Sequence, residues 1–117
     1  MGVSEPLIQA SLLGEAAEHA PFAVFVADEE GHYVAANLAA CLMLGYSRDE
    51  LLRLKTTDVA RYEAAPAEFE QLMDTGTKLG VSELTRKDGT NIRFSYVAGA
   101  TVVAGMSVFV AVGAVVD

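Results

Sequence analysis

The chain of 117 residues has one cysteine, three prolines, two histidines and no tryptophan. The single cysteine, Cys41, excludes a disulfide within the chain, and the cysteine spacings of zinc sites and CxxC redox motifs are missing. The sequence therefore predicts no metal site. It also fits the reducing conditions of the cytoplasm, where we expect the protein.

Basic residues are scarce as well, since eight lysines and arginines stand against sixteen aspartates and glutamates, for a formal net charge of −8. Binding to a phosphate backbone requires clustered Lys and Arg, so we expect no nucleic-acid partner. Hydrophobic residues make up 52% of the chain and charged residues 21%. This balance indicates a single globular domain rather than a disordered chain.

Charge is missing altogether between residues 95 and 116, a run long enough to cross a bilayer as a helix. The run contains Gly99, Gly105 and Gly113, is rich in valine, and no basic flank follows it. We therefore interpret it as two strands joined by a turn within residues 100–105. The N-terminus lacks a basic stretch followed by an apolar core, and we expect neither a signal peptide nor membrane contact by this domain.

The most informative stretch spans residues 22–46. Apolar residues 22–27 predict a buried strand, and residues 32–36 resume the extended pattern after a polar turn in which Gly31 can take a positive φ. Asn37 can cap the helix predicted at 38–44. The order is thus strand, tight turn, strand and capped helix.

Further elements are predicted on both sides of this stretch. Residues 7–19 have helical composition, with a broad apolar stripe formed by Leu7, Ile8, Leu12, Leu13, Ala16 and Ala17. Ser47 with Glu50 forms a capping box, and a longer helix is expected from 66 to 74 with its buried face at Phe69, Leu72 and Met73. The last three strands are expected at residues 81–86, 91–98 and 102–116.

Two further motifs complete a recognisable pattern. Residues 45–52, GYSRDELL, and residues 86–90, RKDGT, follow the hairpin and capped helix in an order that resembles a PAS domain over about residues 20–117. The resemblance implies an α+β fold with a five-stranded antiparallel sheet, helices on one face and an N-terminal capping helix. We divide the chain accordingly into a linker and amphipathic helix at 1–20 and a PAS domain at 21–117.

The resemblance raises the possibility of a flavin, which the residues do not favour. Light-sensing members carry a reactive cysteine in the short helix after the GYS segment, whereas residues 54–58 contain none. Those members also place amide side chains on the last three strands, where this chain has Leu84, Phe94 and Val115. An unpaired flavin edge in an apolar cavity would be costly, so we predict that no flavin binds.

A haem is also not expected. Haem-binding members ligate iron by a histidine on the long helix, and the matching place, close to Ala65, has none. We interpret His19 and His32 as exposed or capping residues. No nucleophile elbow, oxyanion motif or phosphate loop is present, and we predict no catalytic residue and no enzymatic activity.

The remaining candidate site is the core cavity of the fold. In the family's register the strand pattern directs small and aromatic residues towards the helices, and a cavity of this kind would bind a mostly apolar molecule such as an acyl chain or a small aromatic acid. The candidate residues are Phe25, Ala27, Asn37, Leu44, Leu84, Phe94, Tyr96, Phe109, Ala111 and Gly113. Tyr96 and Asn37 are their obvious polar groups. The alternative is a closed core packed by Met43, Leu44, Phe69 and Met73. Tolerance of Gly113→Phe would indicate an open cavity.

The opposite face of the last strand is apolar too, through Val108, Val110, Val112, Ala114 and Val116. A solvated antiparallel face would alternate apolar and polar residues, so we expect the N-terminal helix, a second subunit or both to cover it. This predicts a homodimer through that helix and the outer sheet face.

The resemblance thus implies a sensory or regulatory PAS module of a larger bacterial-type signalling protein, such as a sensor histidine kinase, a cyclase or a transcriptional regulator. A ligand or partner would shift the sheet, and the terminal helices would carry the change to an output domain of the same polypeptide. The alternative is a ligand-free interaction module that serves dimerisation.

Overall fold

The structure is a computed structural model that describes residues 5–116, apart from the side chain of Met73. Ten elements follow one another in the order α1 (Pro6–Glu18), β1 (Ala23–Asp28), β2 (Tyr33–Ala36), α2 (Leu38–Leu44), α3 (Arg48–Leu51), α4 (Thr56–Val59), α5 (Ala65–Thr75), β3 (Thr77–Thr85), β4 (Asn91–Val103) and β5 (Met106–Val116). No helix among these is long and apolar enough to cross a membrane.

The five strands form one sheet in the order β2-β1-β5-β4-β3, and every neighbouring pair is antiparallel. The first and last strands lie side by side, with Phe25 opposite Ala111 and Ala27 opposite Phe109. Helices α2, α4 and α5 contact the sheet, and the α+β architecture expected from the sequence is confirmed.

Local signals in the sequence correctly placed the turn and the helix ends. Gly31 has φ 87°, and Gly45 ends α2 in the left-handed region with φ 81°. Asn37 caps α2 by accepting a hydrogen bond from the Ala40 N–H. Ser47 and Glu50 form the predicted capping box of α3.

Strands β3 and β4 are longer than the sequence suggested, β5 is shorter, and the turn between β4 and β5 is tighter. β4 continues to Val103, and two residues, Ala104 and Gly105, make the whole connection with φ values of 50° and 76°. A two-residue turn with both central φ values positive matches the twist of the flanking strands, which lets the apolar residues on either side continue to pair. The turn therefore lies within the expected range of residues 100–105, but the expected end of β4 at residue 98 and the expected start of β5 at residue 102 were wrong.

Helix α1 forms, but it buries none of its residues. Leu7 and Leu13 are 85% and 71% exposed. The expected apolar stripe does not pack on the sheet, because the apolar residues lie around most of the helix instead of along one face. Within the described chain, α1 therefore does not cover the sheet.

The outer face of the sheet is largely apolar, as expected, and open. Leu79 is 82% exposed, Val81 and Val97 are exposed, and Val110 and Val112 on the last strand are half-buried. Val108 departs from the expectation for this face, because it is only 1% exposed.

Candidate ligand-binding site

A small aromatic pocket lies between the inner face of the sheet and helices α4 and α5, with a volume of about 100 Å³. Seven of the nine aromatic residues of the chain line it: Phe25, Tyr33, Tyr62, Phe69, Phe94, Tyr96 and Phe109. Short apolar side chains, among them Ala98 and Ala111, leave the space between these rings. We call this space the aromatic pocket.

Six of the ten candidate cavity residues border the aromatic pocket, namely Phe25, Leu84, Phe94, Tyr96, Phe109 and Ala111. The other four do not. Ala27 and Leu44 are completely buried in the packed core, which shows that part of the expected cavity is filled. The Met73 side chain, expected in that core, lies outside the described residues.

Asn37 is a structural residue here, and the expectation that it is a polar group of the cavity was wrong. Its Oδ1 accepts hydrogen bonds from the Val24 and Ala40 N–H groups at 2.9 and 3.0 Å. Its Nδ2 donates to the Ala17 and Phe22 carbonyls at 2.7 and 2.9 Å. With both amide atoms fully used, Asn37 has no capacity left for a ligand.

Gly113 faces neighbouring backbone rather than open space. A Cβ at this position would lie 2.0 Å from the Ser95 carbonyl oxygen and 2.9 Å from the Tyr96 Cα. The small residue is required by this close approach of β4. Gly113→Phe would therefore clash whether or not a cavity exists. The expectation that tolerance of this substitution would indicate an open cavity was wrong.

The rings of the aromatic pocket form a continuous row across the sheet. Tyr33 and Phe25 have centroids 5.5 Å apart, Phe25 meets Phe94 edge-on at 5.8 Å, and Phe94 stacks on Tyr96 at 5.8 Å. These distances lie within the range of favourable aromatic pairs. The row thus lines one wall of the pocket with aromatic rings in mutual contact.

A polar chain closes one side of the pocket. The Tyr62 hydroxyl donates to Glu68 Oε2 at 2.5 Å, lies 3.1 Å from Ser82 Oγ, and the Lys78 Nζ approaches the same carboxylate at 3.3 Å. Burial, followed by the hydrogen bond to Glu68, raises the pKa of Tyr62 to about 12. The Tyr62 hydrogen bond in turn lowers the pKa of Glu68. At neutral pH the Glu68 carboxylate therefore carries a negative charge, which Lys78 beside it compensates.

A family comparison matches this arrangement of sheet and helices. The family model described as PAS fold matches residues 12–112. The chain belongs to the PAS family.

Solved PAS structures match nearly the whole chain. A domain of a sensory box sensor histidine kinase/response regulator from Geobacter sulfurreducens is 22% identical, with a TM-score of 0.79 and coverage of 97% of this chain and 99% of that one. A PAS domain from a two-component sensor histidine kinase is 14% identical, with a TM-score of 0.84 and coverage of 96% and 100%. A search among curated proteins gave no match.

One matching structure is a light-oxygen-voltage domain described with a flavin analogue, at 16% identity and a TM-score of 0.71, covering 100% of this chain and 89% of that one. In the present PAS domain Leu84 and Phe94 line the aromatic pocket, whereas Val115 lies outside it in a surface groove. Cys41 lies on α2, is buried, and its pKa is raised by that burial. The geometry thus keeps Cys41 away from the aromatic pocket, as a protonated core residue.

The surface groove that contains Val115 is larger, about 1160 Å³, and open to solvent. It runs from the end of α1 to α2 and the β3–β4 turn, with His19 and Phe22 at one end. His32 is also exposed and its Nδ1 lies 3.4 Å from Asp28 Oδ2. Across residues 5–116 no three His, Cys, Asp or Glu side chains come together as metal ligands would.

Sequence reasoning missed Tyr33 and Tyr62 as pocket residues. The hairpin register could have identified Tyr33, because it pairs with the inward-facing Ala27. Tyr62 follows α4 in an irregular segment, and its position depends on how α5 docks. Sequence periodicity carries no information about such a residue.

Proposed function

We propose that this PAS domain is a sensory, non-catalytic module of a larger signal-transduction protein and that it binds a small, mostly apolar molecule in the aromatic pocket. One observation supports this above all. The inner face of the sheet leaves an unfilled space of about 100 Å³ lined by aromatic rings, while the neighbouring core around Ala27 and Leu44 is fully buried and packed.

The size of the pocket limits the ligand to a single ring. An engineered apolar cavity of about 150 Å³ accommodates benzene, so a ring enters the present space of about 100 Å³ only when α5 moves outward. A flavin or a haem is several times larger, and Leu84 and Phe94 offer no hydrogen bond to a polar ring edge. These features support our expectation that neither cofactor binds.

The proposed signal route begins at helix α5 and strand β3, which meet at the polar chain of Tyr62, Glu68 and Lys78. A ligand that displaces α5 would alter the sheet through this contact. At the other side of the sheet, α1 is held to the domain by the Asn37–Ala17 hydrogen bond and by Arg48, whose Nη2 lies 2.6 Å from Glu18 Oε2. The helix could thus carry the change to an output domain, which we place in the cytoplasm with the rest of the protein.

Native mass spectrometry of the purified chain tests the ligand. We expect the intact mass to exceed that of the polypeptide by one small molecule, without flavin or haem absorbance. Ala98→Leu should abolish the adduct, because the larger side chain fills the aromatic pocket, while Ala114→Leu on the exposed part of β5 should retain it. A chain that shows no adduct and is not stabilised by any single-ring compound would contradict the proposal.

A second candidate function is a dimerisation module, and the open outer face favours it. Leu79, Val81 and Val97 are exposed on that face, and α1 presents Leu7 and Leu13 to solvent. Exposed apolar surfaces of this kind mark protein–protein contacts. We propose a homodimer through α1 and the outer face, in addition to ligand binding or in place of it.

A further inference from the structure

Two phenolic hydroxyls at the aromatic pocket have no partner in the described part of the chain. Tyr33 is 8% exposed, and its hydroxyl makes no hydrogen bond with a side chain or with the backbone of the described residues. No side-chain oxygen or nitrogen of the described residues is both fully buried and unpartnered. The Tyr33 hydroxyl therefore keeps a little accessible surface, and the aromatic pocket is the open space that Tyr33 lines.

Tyr96 repeats this situation at the other end of the aromatic row. It is half-buried, its ring is held by stacking on Phe94, and its hydroxyl lies only 3.8 Å from where a Cβ on Gly80 would stand. Its hydroxyl likewise takes part in no hydrogen bond within residues 5–116, although the neighbouring Tyr62 hydroxyl has two partners. Buried polar groups of proteins are almost always paired, so the unpaired hydroxyl of Tyr33, a residue only 8% exposed beside an open space, indicates a ligand that pairs it, whereas the half-buried Tyr96 can also bond to solvent.

The charges around the pocket argue against an ionic ligand. Lys78, the one basic residue on the pocket wall, is already paired with Glu68 at 3.3 Å. Burial, with Asp58 nearby, raises the pKa of the Tyr33 phenol, so the group stays protonated and donates. A carboxylate here would lose its hydration without gaining a free cation, and an ammonium would find Glu68 already compensated.

We propose, on the basis of the ligand-binding function above, that the ligand is a neutral single-ring compound with an acceptor oxygen of the carbonyl type, bound by the hydroxyl of Tyr33. The Tyr33 phenol donates to the carbonyl oxygen, and the rings of Phe25 and Phe94 contact the ring of the ligand. This names the class of molecule that the module senses.

Four matched probes test the chemistry on the full chain: acetophenone, ethylbenzene, benzoate and benzylamine. Acetophenone and ethylbenzene have nearly the same shape, but only the first has an acceptor oxygen. We expect acetophenone to bind about threefold to tenfold more tightly than ethylbenzene, the gain from one neutral hydrogen bond, and more tightly than either ion. Calorimetry or ligand-observed NMR gives the four affinities.

Tyr33→Phe and Tyr96→Phe assign the donor, because each removes one hydroxyl and keeps its ring. We expect Tyr33→Phe to abolish the preference for acetophenone over ethylbenzene and Tyr96→Phe, at the other end of the aromatic row, to retain it. Tyr46→Phe is the control, since Tyr46 lies outside the pocket. Thermal melts verify that each variant is folded.

The outcomes separate this inference from the function on which it rests. Equal binding of acetophenone and ethylbenzene, or a preference that survives in Tyr33→Phe, would overturn the carbonyl recognition and leave an apolar ligand pocket standing. Tighter binding of benzoate or benzylamine would overturn the neutral class. Absence of binding by all four probes would refute the ligand pocket itself.

Discussion

At the scale of single residues, Asn37 shows how one side chain can hold several elements together. Its four hydrogen bonds join the end of α1, the segment before β1, β1 itself and the first turn of α2. A buried amide with every donor and acceptor satisfied stabilises a unique arrangement, whereas the same amide left unpaired would be costly. The glycine at 113 has the opposite role, since it matters through the atoms that it lacks.

Gly113→Ala is therefore predicted to destabilise the domain. The added Cβ would lie 2.0 Å from the Ser95 carbonyl oxygen, so β4 and β5 would have to separate locally. We expect a loss of roughly 1–3 kcal/mol in the free energy of unfolding, or more, measured by urea denaturation. Gly14→Ala is the control, because a Cβ on Gly14 in α1 has no atom within 4 Å. A Gly113→Ala variant as stable as the wild type would show that the strands do not approach so closely.

Acid stability is predicted to depend on Glu50. Its hydrogen bond from Lys87, followed by the backbone N–H of Ser47, lowers its pKa from 4.5 to about 2. Because the folded-state pKa is the lower one, the stabilisation is complete above pH 4.5 and is lost as the pH falls towards 2. Glu50→Gln should therefore be less stable than wild type at neutral pH, and the difference should shrink below pH 4.5.

Urea midpoints measured across this range give the comparison, with Glu29→Gln as an exposed control on the β1–β2 turn. A gap between wild type and Glu50→Gln that stays constant from neutral pH to pH 2 would contradict the assignment.

At the scale of elements, the β4–β5 hairpin is the longest regular unit, and a two-residue turn fixes its register. Val103 pairs with Met106, so an added or missing turn residue would shift every following pair of β5. Such a shift would move Phe109 and Ala111 from the pocket face to the outer face. The geometry of the aromatic pocket thus depends on this distant turn.

Ala104→Asn is predicted to stabilise the hairpin. Ala104 has φ 50°, a conformation that costs an alanine about 1–2 kcal/mol, whereas asparagine tolerates it and is favoured at the first position of this turn. We expect a gain of up to about 1 kcal/mol in thermal or urea unfolding. The matched variant Gly105→Ala, at φ 76°, should lower stability instead. If both substitutions raised the stability, or both lowered it, the left-handed conformation assigned to Ala104 and Gly105 would be wrong.

At the scale of the whole molecule, two apolar regions have different surroundings. The aromatic pocket lies between the helices and the sheet, while the outer face and α1 are open to solvent. The net charge of −8 opposes self-association only weakly at physiological salt, because charges beyond about 8 Å are screened. The open surfaces are therefore available for a second copy or an output domain.

Charged substitutions on the outer face should dissociate the proposed homodimer. Leu79→Glu and Val97→Glu place a carboxylate on exposed positions of that face, where folding is not compromised but a buried interface would be. Light scattering over a range of concentrations should show a dimer for the wild type and monomers for both variants. Leu42→Glu is the control, as an exposed leucine on α2.

Dimers that persist in Leu79→Glu and Val97→Glu would place the interface elsewhere. Leu13→Glu then tests α1, where Leu13 is exposed. A wild type that is monomeric at every concentration would refute the dimerisation function and leave the ligand pocket unaffected.

The sequence by itself determined the features that depend on a few neighbouring residues. The left-handed glycines at 31 and 45, the Asn37 cap and the Ser47–Glu50 capping box act within one turn of chain, and the PAS motifs follow from their order. The inward direction of Phe25 and Phe94 was also predictable, because strand alternation fixes it once the register is known.

Tertiary structure alone decided which inward residues meet space and which meet atoms. Gly113 and Ala111 are both small inward-facing residues two positions apart on β5, yet Gly113 meets the Ser95 carbonyl and Ala111 borders the aromatic pocket. The saturation of Asn37 and the unpaired state of Tyr33 likewise depend on groups far away in the chain. Sequence patterns give direction and polarity, but distance between side chains arises only when sheet and helices pack.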